Sequence, residues 1–229
     1  LIMIVQPFSF LQGSSVSGGC APIQNTNFDP VPDVGDGYSS SNEPPVNAYY
    51  NYSLNAFIIP QSQMGTAKQI TSMSFKQYGR SNAGTYTMLN QYVKFGHTTE
   101  TSLPSGTFYP RQSNSTPAAD LSMSYVSGFN ISDEILVMSG SWTVNGGNAN
   151  SYSELTFNEN NFCYNGTDNI IVLWISNWGG FASNREWFLV DDGSSFVTDL
   201  GAYSKSDSTT PSNLGLQRQS ELPVIRMDY

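Results

Sequence analysis

Hydrophobic and polar residues along this chain follow the period-two alternation of β-strands. Short segments rich in Tyr, Phe, Val, Ile and Thr are separated by Gly, Pro, Asn, Asp and Ser, as expected for strands joined by turns. The segments are AYYNYSLNAFII, KQITSMSFKQY, GTYTMLNQYVKFGH, EILVMSGSWTV, YSELTF, NIIVLWIS, REWFLV and LPVIRMDY. This pattern predicts an all-β chain with at most one short helical turn, in PQSQMGTAKQ.

The segment NIIVLWIS departs from the alternation, because its residues from Ile170 to Ile175 are all apolar. Successive side chains of a strand point to opposite faces, so both faces of this strand need cover. We predict a central strand with one face in the core. The other face is expected to lie beneath the N-terminal arm or a neighbouring subunit.

The spacing of the segments predicts an antiparallel two-sheet sandwich of jelly-roll type over residues 34–229. Residues 1–33 are predicted to form an extended N-terminal arm and linker. We expect LIMIV to belong to the mature chain rather than to a secretion signal. The apolar side chains of the arm need burial, and Pro7 suits an edge strand. We predict that the arm docks on another copy or another subunit of an assembly, with its own sheet as the alternative, through Leu1, Ile2, Ile4, Phe8 and Phe10.

The net charge of the chain limits the classes of molecule that it is expected to bind. Only 12% of residues are charged, and 9 Lys+Arg stand against 18 Asp+Glu, for a formal charge of -9. An acidic chain without a run of basic residues repels phosphate backbones, so we expect no nucleic-acid partner. We also expect no membrane span, since no apolar run approaches the roughly 18 residues that cross a bilayer.

Two cysteines, Cys20 and Cys163, lie far apart and lack the spacing of metal ligands. One interpretation is a disulfide that ties the arm to the strand at 162–164, which an extracellular protein would allow. The other is a pair of buried free thiols.

Five pieces of the sequence carry a resemblance to a known family in combination. They are VGDGYSSSNEPPVNAYYNYSLNAFII at 34–59, ITSMSFK at 70–76, VKFGHTTETS at 93–102, LTFNENNFCYNGTDNIIVLW at 155–174 and LPVIRMDY at 222–229. Together they resemble a β-sandwich domain of secreted and surface proteins of Bacteroidota, related to cleaved-adhesin and jelly-roll modules. The resemblance implies a non-catalytic extracellular module for surface attachment or assembly. A structural protein on the virion of a phage that infects such bacteria is an alternative setting.

Few residues suggest catalysis. His97, the only histidine, ends a strand in FGHTTETS, and the family resemblance implies a strand-end hydrogen bond as its role. The pairs Asp133/Glu134 and Asp191/Asp192 are neighbours whose side chains point to opposite faces of a strand, so neither forms an acid/base pair by itself. We therefore predict a protein that is not an enzyme and requires no cofactor. A glycosidase with carboxylates from different loops is the alternative.

Acidic loops are candidates for a structural Ca²⁺, a cation that takes carboxylate and carbonyl oxygens from loops. The residues are Asp33 and Asp36 in PDVGDG, and Asp191 and Asp192 in LVDDGSS. The alternative is a set of solvated turn carboxylates.

The segment NWGGFASNREW combines aromatic rings with polar side chains, the usual composition of a sugar-binding surface. Its candidate glycan-binding residues are Trp178, Asn184, Arg185 and Trp187, with Phe181 and Glu186 beside them. The alternative is a β-hairpin whose aromatic side chains cap the core.

Overall fold

The structure, a computed structural model, describes residues 27–31, 39–41, 45–191, 199–214, 217–219 and 222–229. These residues contain one four-residue helix, α1, at Gln61–Met64, and two 3-10 turns, at Ala118–Asp120 and Met123–Tyr125. None of these short helical elements in the described ranges could span a bilayer. The strands are β1 Phe28–Val31, β2 Ser39–Ser41, β3 Tyr52–Ile59, β4 Lys68–Ile70, β5 Ser72–Lys76, β6 Thr85–Thr98, β7 Ser132–Asn145, β8 Tyr152–Thr156, β9 Phe162–Tyr164, β10 Asn169–Ser176, β11 Phe188–Asp191, β12 Gly201–Ser206, β13 Gln217–Gln219, β14 Leu222–Pro223 and β15 Ile225–Asp228. The all-β prediction is confirmed, and α1 lies where the sequence allowed a helical turn.

The strands pair antiparallel throughout and build two layers. One layer is a six-stranded sheet of order β13-β12-β3-β10-β6-β7. The other combines the sheets β1-β15-β5-β8 and β14-β11-β2, which adjoin because the Val224 N–H donates to the Leu189 carbonyl at 2.9 Å. A two-stranded sheet, β4-β9, completes the described strands. The predicted sandwich is therefore present, whereas the finer jelly-roll order stays a prediction.

An aromatic cluster joins the two layers. The ring of Phe75 in β5 lies 5.5 Å from that of Trp174 in β10 and 6.1 Å from that of Phe188 in β11. Trp142 of β7 lies 5.0 Å from Trp174. All four rings are buried, and aromatic contacts of this kind add to the large stabilisation from burying their area.

A β-bulge brings Trp142 into this cluster. The pairing of β6 with β7 shifts register between Met88 and Gln91, where Asn90 and Gly140 have φ values of 52° and 130°. A bulge bends the strands that contain it. Beyond the bulge, the Trp142 indole N–H reaches the second layer and donates to the Glu154 carbonyl of β8 at 2.8 Å. The long antiparallel pair of β6 and β7 therefore closes one side of the core.

Strand β10 lies at the centre of the six-stranded sheet, between β3 and β6, as predicted. Its apolar residues from Ile170 to Ile175 are at most 1% exposed. The face that carries Trp174 packs on the second layer. The opposite face carries Ile171 and Leu173, which are paired with Gly96 and Lys94 of β6.

Residues 99–131, which we call the cover segment, lie over this opposite face. The Lys94 ammonium donates to the Leu121 carbonyl at 2.7 Å, and a Cβ added at Gly96 would lie 2.8 Å from Ile131 Cδ1. The cover segment contributes six buried side chains to the core: Leu103, Phe108, Leu121, Met123, Val126 and Phe129. The chain thus places its own apolar residues over this face, and additional cover by the arm, whose residues 1–26 lie outside the described ranges, or by a neighbouring subunit stays a prediction.

The segment from Phe28 to Val31, predicted to be linker, is an ordered strand of the sandwich. Phe28 pairs with Met227 of β15, and the Lys68 ammonium lies 3.7 Å from the centre of the Phe28 ring. Arg226 Nε lies 3.1 Å from Asp29 Oδ1. The second layer therefore includes residues that precede position 34. The arm residues Leu1, Ile2, Ile4, Phe8 and Phe10 lie outside the described residues, so their docking stays a prediction.

Asparagine side chains satisfy the outer edge of β7. The Asn158 amide donates to the Ser139 carbonyl at 2.7 Å, and its oxygen accepts from the Ser139 N–H at 2.9 Å. Asn160 donates to the Leu136 carbonyl at 2.9 Å. The Asn-rich loop after β8 thereby occupies backbone groups that an edge strand would otherwise present.

The cover segment should be part of the cooperative core. Met123→Ala is expected to lower the free energy of unfolding by about 2–5 kcal/mol, because it opens a cavity at a fully buried site. Tyr109→Ala, in the same segment but at a 49% exposed position, should change it by less than about 0.5 kcal/mol. Urea unfolding followed by tryptophan fluorescence measures both. Equal small effects would show that the cover segment contributes little to the core.

Candidate functional site

The buried carboxylate of Glu186 organises one end of the sandwich. Its Oε1 accepts from the backbone N–H groups of Gly79, Arg80 and Trp187 at 2.9, 3.0 and 3.0 Å. Its Oε2 accepts from the Gly147 N–H at 2.6 Å. A buried charge is tolerated when hydrogen bonds replace its hydration, and four backbone donors do so here. Glu186 thus joins the β5–β6, β7–β8 and β10–β11 connections.

Glycines let these connections approach closely. Gly79 has a φ of 83°, and a Cβ there would lie 2.3 Å from Ala149 Cα. Gly147 has a φ of 87°. Side chains at either position would strain the backbone, and at Gly79 they would also separate the loops.

Five side chains on these loops and on the adjoining segment before β3 form what we call the aromatic–arginine surface: Tyr49, Tyr78, Arg80, Arg185 and Trp187. The Arg80 guanidinium carbon lies 4.7 Å from the centre of the Trp187 ring, and the Tyr78 ring lies 6.2 Å from it. The Arg185 guanidinium carbon lies 4.4 Å from the Tyr49 ring. Arg80 Nη1 donates to the Arg185 carbonyl at 3.0 Å, which links the two stacks.

This surface brings two guanidinium groups of an acidic chain together beside the buried Glu186 carboxylate. It contains two of the 9 Lys and Arg residues, and the Lys205 ammonium lies 4.8 Å from the neighbouring Tyr50 ring. Tyr49 and Tyr78 are 47% and 43% exposed. The arrangement can stack flat rings and pair with anionic groups.

The structure brings together only part of the predicted glycan-binding set. Arg185 and Trp187 share the aromatic–arginine surface. Asn184 is exposed, and its carbonyl accepts from the Gly84 N–H at 3.1 Å. Trp178 packs against the core, as the alternative interpretation expected, while Phe181 is 63% exposed. The hairpin itself is absent, since β10 and β11 belong to different sheets.

Three residues of this surface were not predicted as site residues: Tyr49, Tyr78 and Arg80. Tyr49 and Tyr78 lie in AYYNYSLNAFII and KQITSMSFKQY, two segments that were assigned to strands, and Arg80 lies just after the second of them. The sequence signal that could have indicated them was the presence of aromatic residues beside a glycine turn. Their proximity to Trp187 depends on the Glu186 hydrogen bonds, which link segments about 100 residues apart.

His97 makes a strand-end hydrogen bond, as predicted. Its Nε2 accepts from the Asn165 N–H at 3.1 Å, and its ring lies 4.7 Å from that of Phe162. Nδ1 lies 3.6 Å from an Asp133 carboxylate oxygen, beyond hydrogen-bond length. Burial lowers the pKa of His97, against the opposing charges of Asp133 and Asp168. The neutral imidazole is therefore the form that supports this turn.

The predicted calcium ligands Asp33, Asp36 and Asp192 lie outside the described residues. Asp191 ends β11, and its side chain is also outside them. Among the residues that the structure describes, no group of three His, Cys, Asp or Glu side chains could hold a metal ion. Calcium binding at the two acidic loops stays a prediction.

Cys163 in β9 is disulfide-bonded. Cys20 lies outside the described residues, so its pairing with Cys163 stays a prediction. Peptide mapping without reduction identifies the pair.

Comparisons of this chain with protein-family models, with curated proteins and with solved structures found no match.

Glu186→Gln should weaken the loop junction, because an amide nitrogen cannot accept hydrogen bonds and neutral acceptors bind more weakly. We expect a loss of about 1.5–3 kcal/mol in unfolding free energy. Hydrogen exchange should also accelerate at the amides of Gly79, Arg80 and Gly147. Glu154→Gln, at an exposed position, is the control and should leave both measurements unchanged. Unaltered exchange in Glu186→Gln would contradict the anchoring role.

Stability should fall on mild acidification because of His97. Its pKa is lower in the folded chain than in the unfolded chain, so the unfolded chain binds more protons below about pH 6.5. The contribution of His97 is complete above that pH and decreases as the pH falls toward the folded-state pKa. His97→Gln keeps an acceptor for Asn165 without titrating. Urea unfolding from pH 7.5 to 5 should show a shallower pH dependence in this variant, and an identical slope would contradict the assignment.

Proposed function

We propose that this chain is a non-catalytic recognition module that binds saccharides carrying anionic groups through the aromatic–arginine surface. The observation that carries the proposal is the stacked set of Tyr78, Trp187 and Arg80 on loops joined by the Glu186 carboxylate. Few other places in the described chain combine exposed aromatic rings with guanidinium groups.

The chemistry of this surface fits acidic sugar chains. Aromatic faces stack on the C–H faces of sugar rings, and Tyr49 and Tyr78 are exposed enough to do so. Guanidinium groups pair with carboxylates and sulfates through geometrically matched hydrogen bonds. Arg80 uses Nη1 for the Arg185 carbonyl, and a guanidinium has five N–H donors in all.

The hydrogen-bonded loops support a role in ligand binding rather than in catalysis. The backbone beneath Arg80 and Trp187 is fixed by hydrogen bonds to a buried carboxylate. A surface that is already ordered loses little conformational entropy when a ligand binds. Glu186, the carboxylate nearest to these side chains, is fully occupied as an acceptor and serves the loops.

We propose an extracellular setting for this module, in attachment to a surface or in assembly with other subunits. The disulfide at Cys163 supports an oxidising compartment. The resemblance to surface β-sandwich domains supports attachment, and a virion surface is the alternative setting.

The test uses oligogalacturonate as the anionic saccharide, with affinity measured by isothermal titration calorimetry. Tyr78→Ala and Arg80→Gln are each expected to raise the dissociation constant at least about tenfold, a loss of roughly 1.4 kcal/mol. The affinity of the native chain should fall between about 0.05 and 0.5 M salt, because screening weakens exposed ion pairs.

A second cation–π pair provides the matched control. The Arg111 guanidinium carbon lies 5.5 Å from the Tyr109 ring, in the cover segment. Tyr109→Ala and Arg111→Gln should leave the affinity unchanged. Equal losses in the control pair, or no binding by the native chain, would contradict the proposal. New reducing ends in the oligogalacturonate would replace it with a depolymerising enzyme, a hydrolase if no unsaturated uronate forms and a lyase if one does.

A further inference from the structure

A concave site lies between the cover segment and strands β6 and β7. Its volume is about 760 Å³, within the range of about 300–1,000 Å³ typical of small-molecule pockets. It shares no residue with the aromatic–arginine surface. The two regions are therefore independent candidates for binding.

Hydroxyl groups in a fixed arrangement line one wall of this cavity. The Ser122 and Ser124 hydroxyls lie 2.5 Å apart, and Ser122 also donates to the Glu134 carboxylate. The other Glu134 oxygen accepts from the Met123 N–H at 3.1 Å. These bonds hold the wall of the cover segment against β7, so the polar groups are ordered before any ligand enters.

The charge of the cavity favours neutral or cationic ligands. Lys94 supplies one ammonium group, while Asp120, Asp133 and Glu134 supply three carboxylates. Burial lowers the pKa of Lys94, and the carboxylates of Glu134 and Asp120 oppose that shift. An added anion would meet an excess of negative charge at close range. This preference is opposite to that of the aromatic–arginine surface.

Tyr125 is the one aromatic residue among the described residues that line the cavity. Its ring is 41% exposed, which leaves a face for stacking. An exposed aromatic ring beside hydroxyl, carboxylate and ammonium groups is the combination that holds a sugar ring. A metal ion is a poorer occupant, since these side chains do not form a metal-holding group.

We propose that this cavity binds a neutral or amino-substituted saccharide of one or two rings. Tyr125 stacks on the ring, while Asp120, Ser124 and the Lys94 ammonium bind its hydroxyl groups. The module then has two saccharide sites with opposite charge preferences.

Saturation-transfer NMR with glucose, glucosamine and glucuronate tests the proposal on the full chain. Glucose and glucosamine should receive saturation, and glucosamine should bind more tightly than glucuronate. Tyr125→Ala and Asp120→Asn should each weaken glucosamine binding at least about tenfold. Both positions are exposed, so folding is expected to survive the substitutions.

Two controls separate this cavity from the other surface. Tyr109→Ala removes an exposed tyrosine of the same segment outside the cavity lining, and Tyr78→Ala removes a ring of the aromatic–arginine surface. Both should leave glucosamine binding unchanged. The proposal is overturned if neither neutral nor amino sugar binds, if Tyr125→Ala binds as the native chain does, or if Tyr78→Ala abolishes the signal.

Discussion

Burial of both faces of β10 is the constraint on which the rest of this structure depends. Each residue from Ile170 to Ile175 would lose favourable burial energy if the face of the strand that carries it were exposed to water. The second layer covers one face through Trp174, and the cover segment covers the other. Because the cover segment also rests on β7 through Glu134, its course leaves a polar cavity at the edge of the sheet. A candidate binding site thus arises from the way the core is closed.

The loop end of the sandwich depends on a different interaction, the buried charge of Glu186. Removing a carboxylate from water is costly, so its four backbone donors must stay in place. That requirement fixes three connections at once, although none of them has a hydrophobic core of its own. The loops beneath the aromatic–arginine surface are therefore held by hydrogen bonds to a single carboxylate. The side chains of this surface gain their positions from one group that is itself buried.

Local patterns in the sequence were sufficient to predict the strands. They were insufficient to predict which segments pack against those strands. Period-two alternation predicted the all-β class and the doubly apolar run predicted a central β10. The resemblance to surface β-sandwich domains implied a strand-end hydrogen bond for His97, and the structure supplies its partner, Asn165. The cover segment was not predicted, because its apolar residues are scattered among Ser, Thr and Pro without a period. The aromatic–arginine surface could not be assembled from NWGGFASNREW alone. Its other members depend on pairings between distant loops, which no local pattern records.

The asparagine side chains along β7 affect how chains of this kind could associate. Asn158 exchanges two hydrogen bonds with Ser139, as a paired strand residue would, so its side chain acts as a substitute for a neighbouring backbone. A strand from another molecule would have to displace that amide before pairing with residues 136–139. The amide therefore blocks the addition of a further strand at this edge of the six-stranded sheet. Edge-to-edge association of several chains through β7 is unfavourable for the same reason.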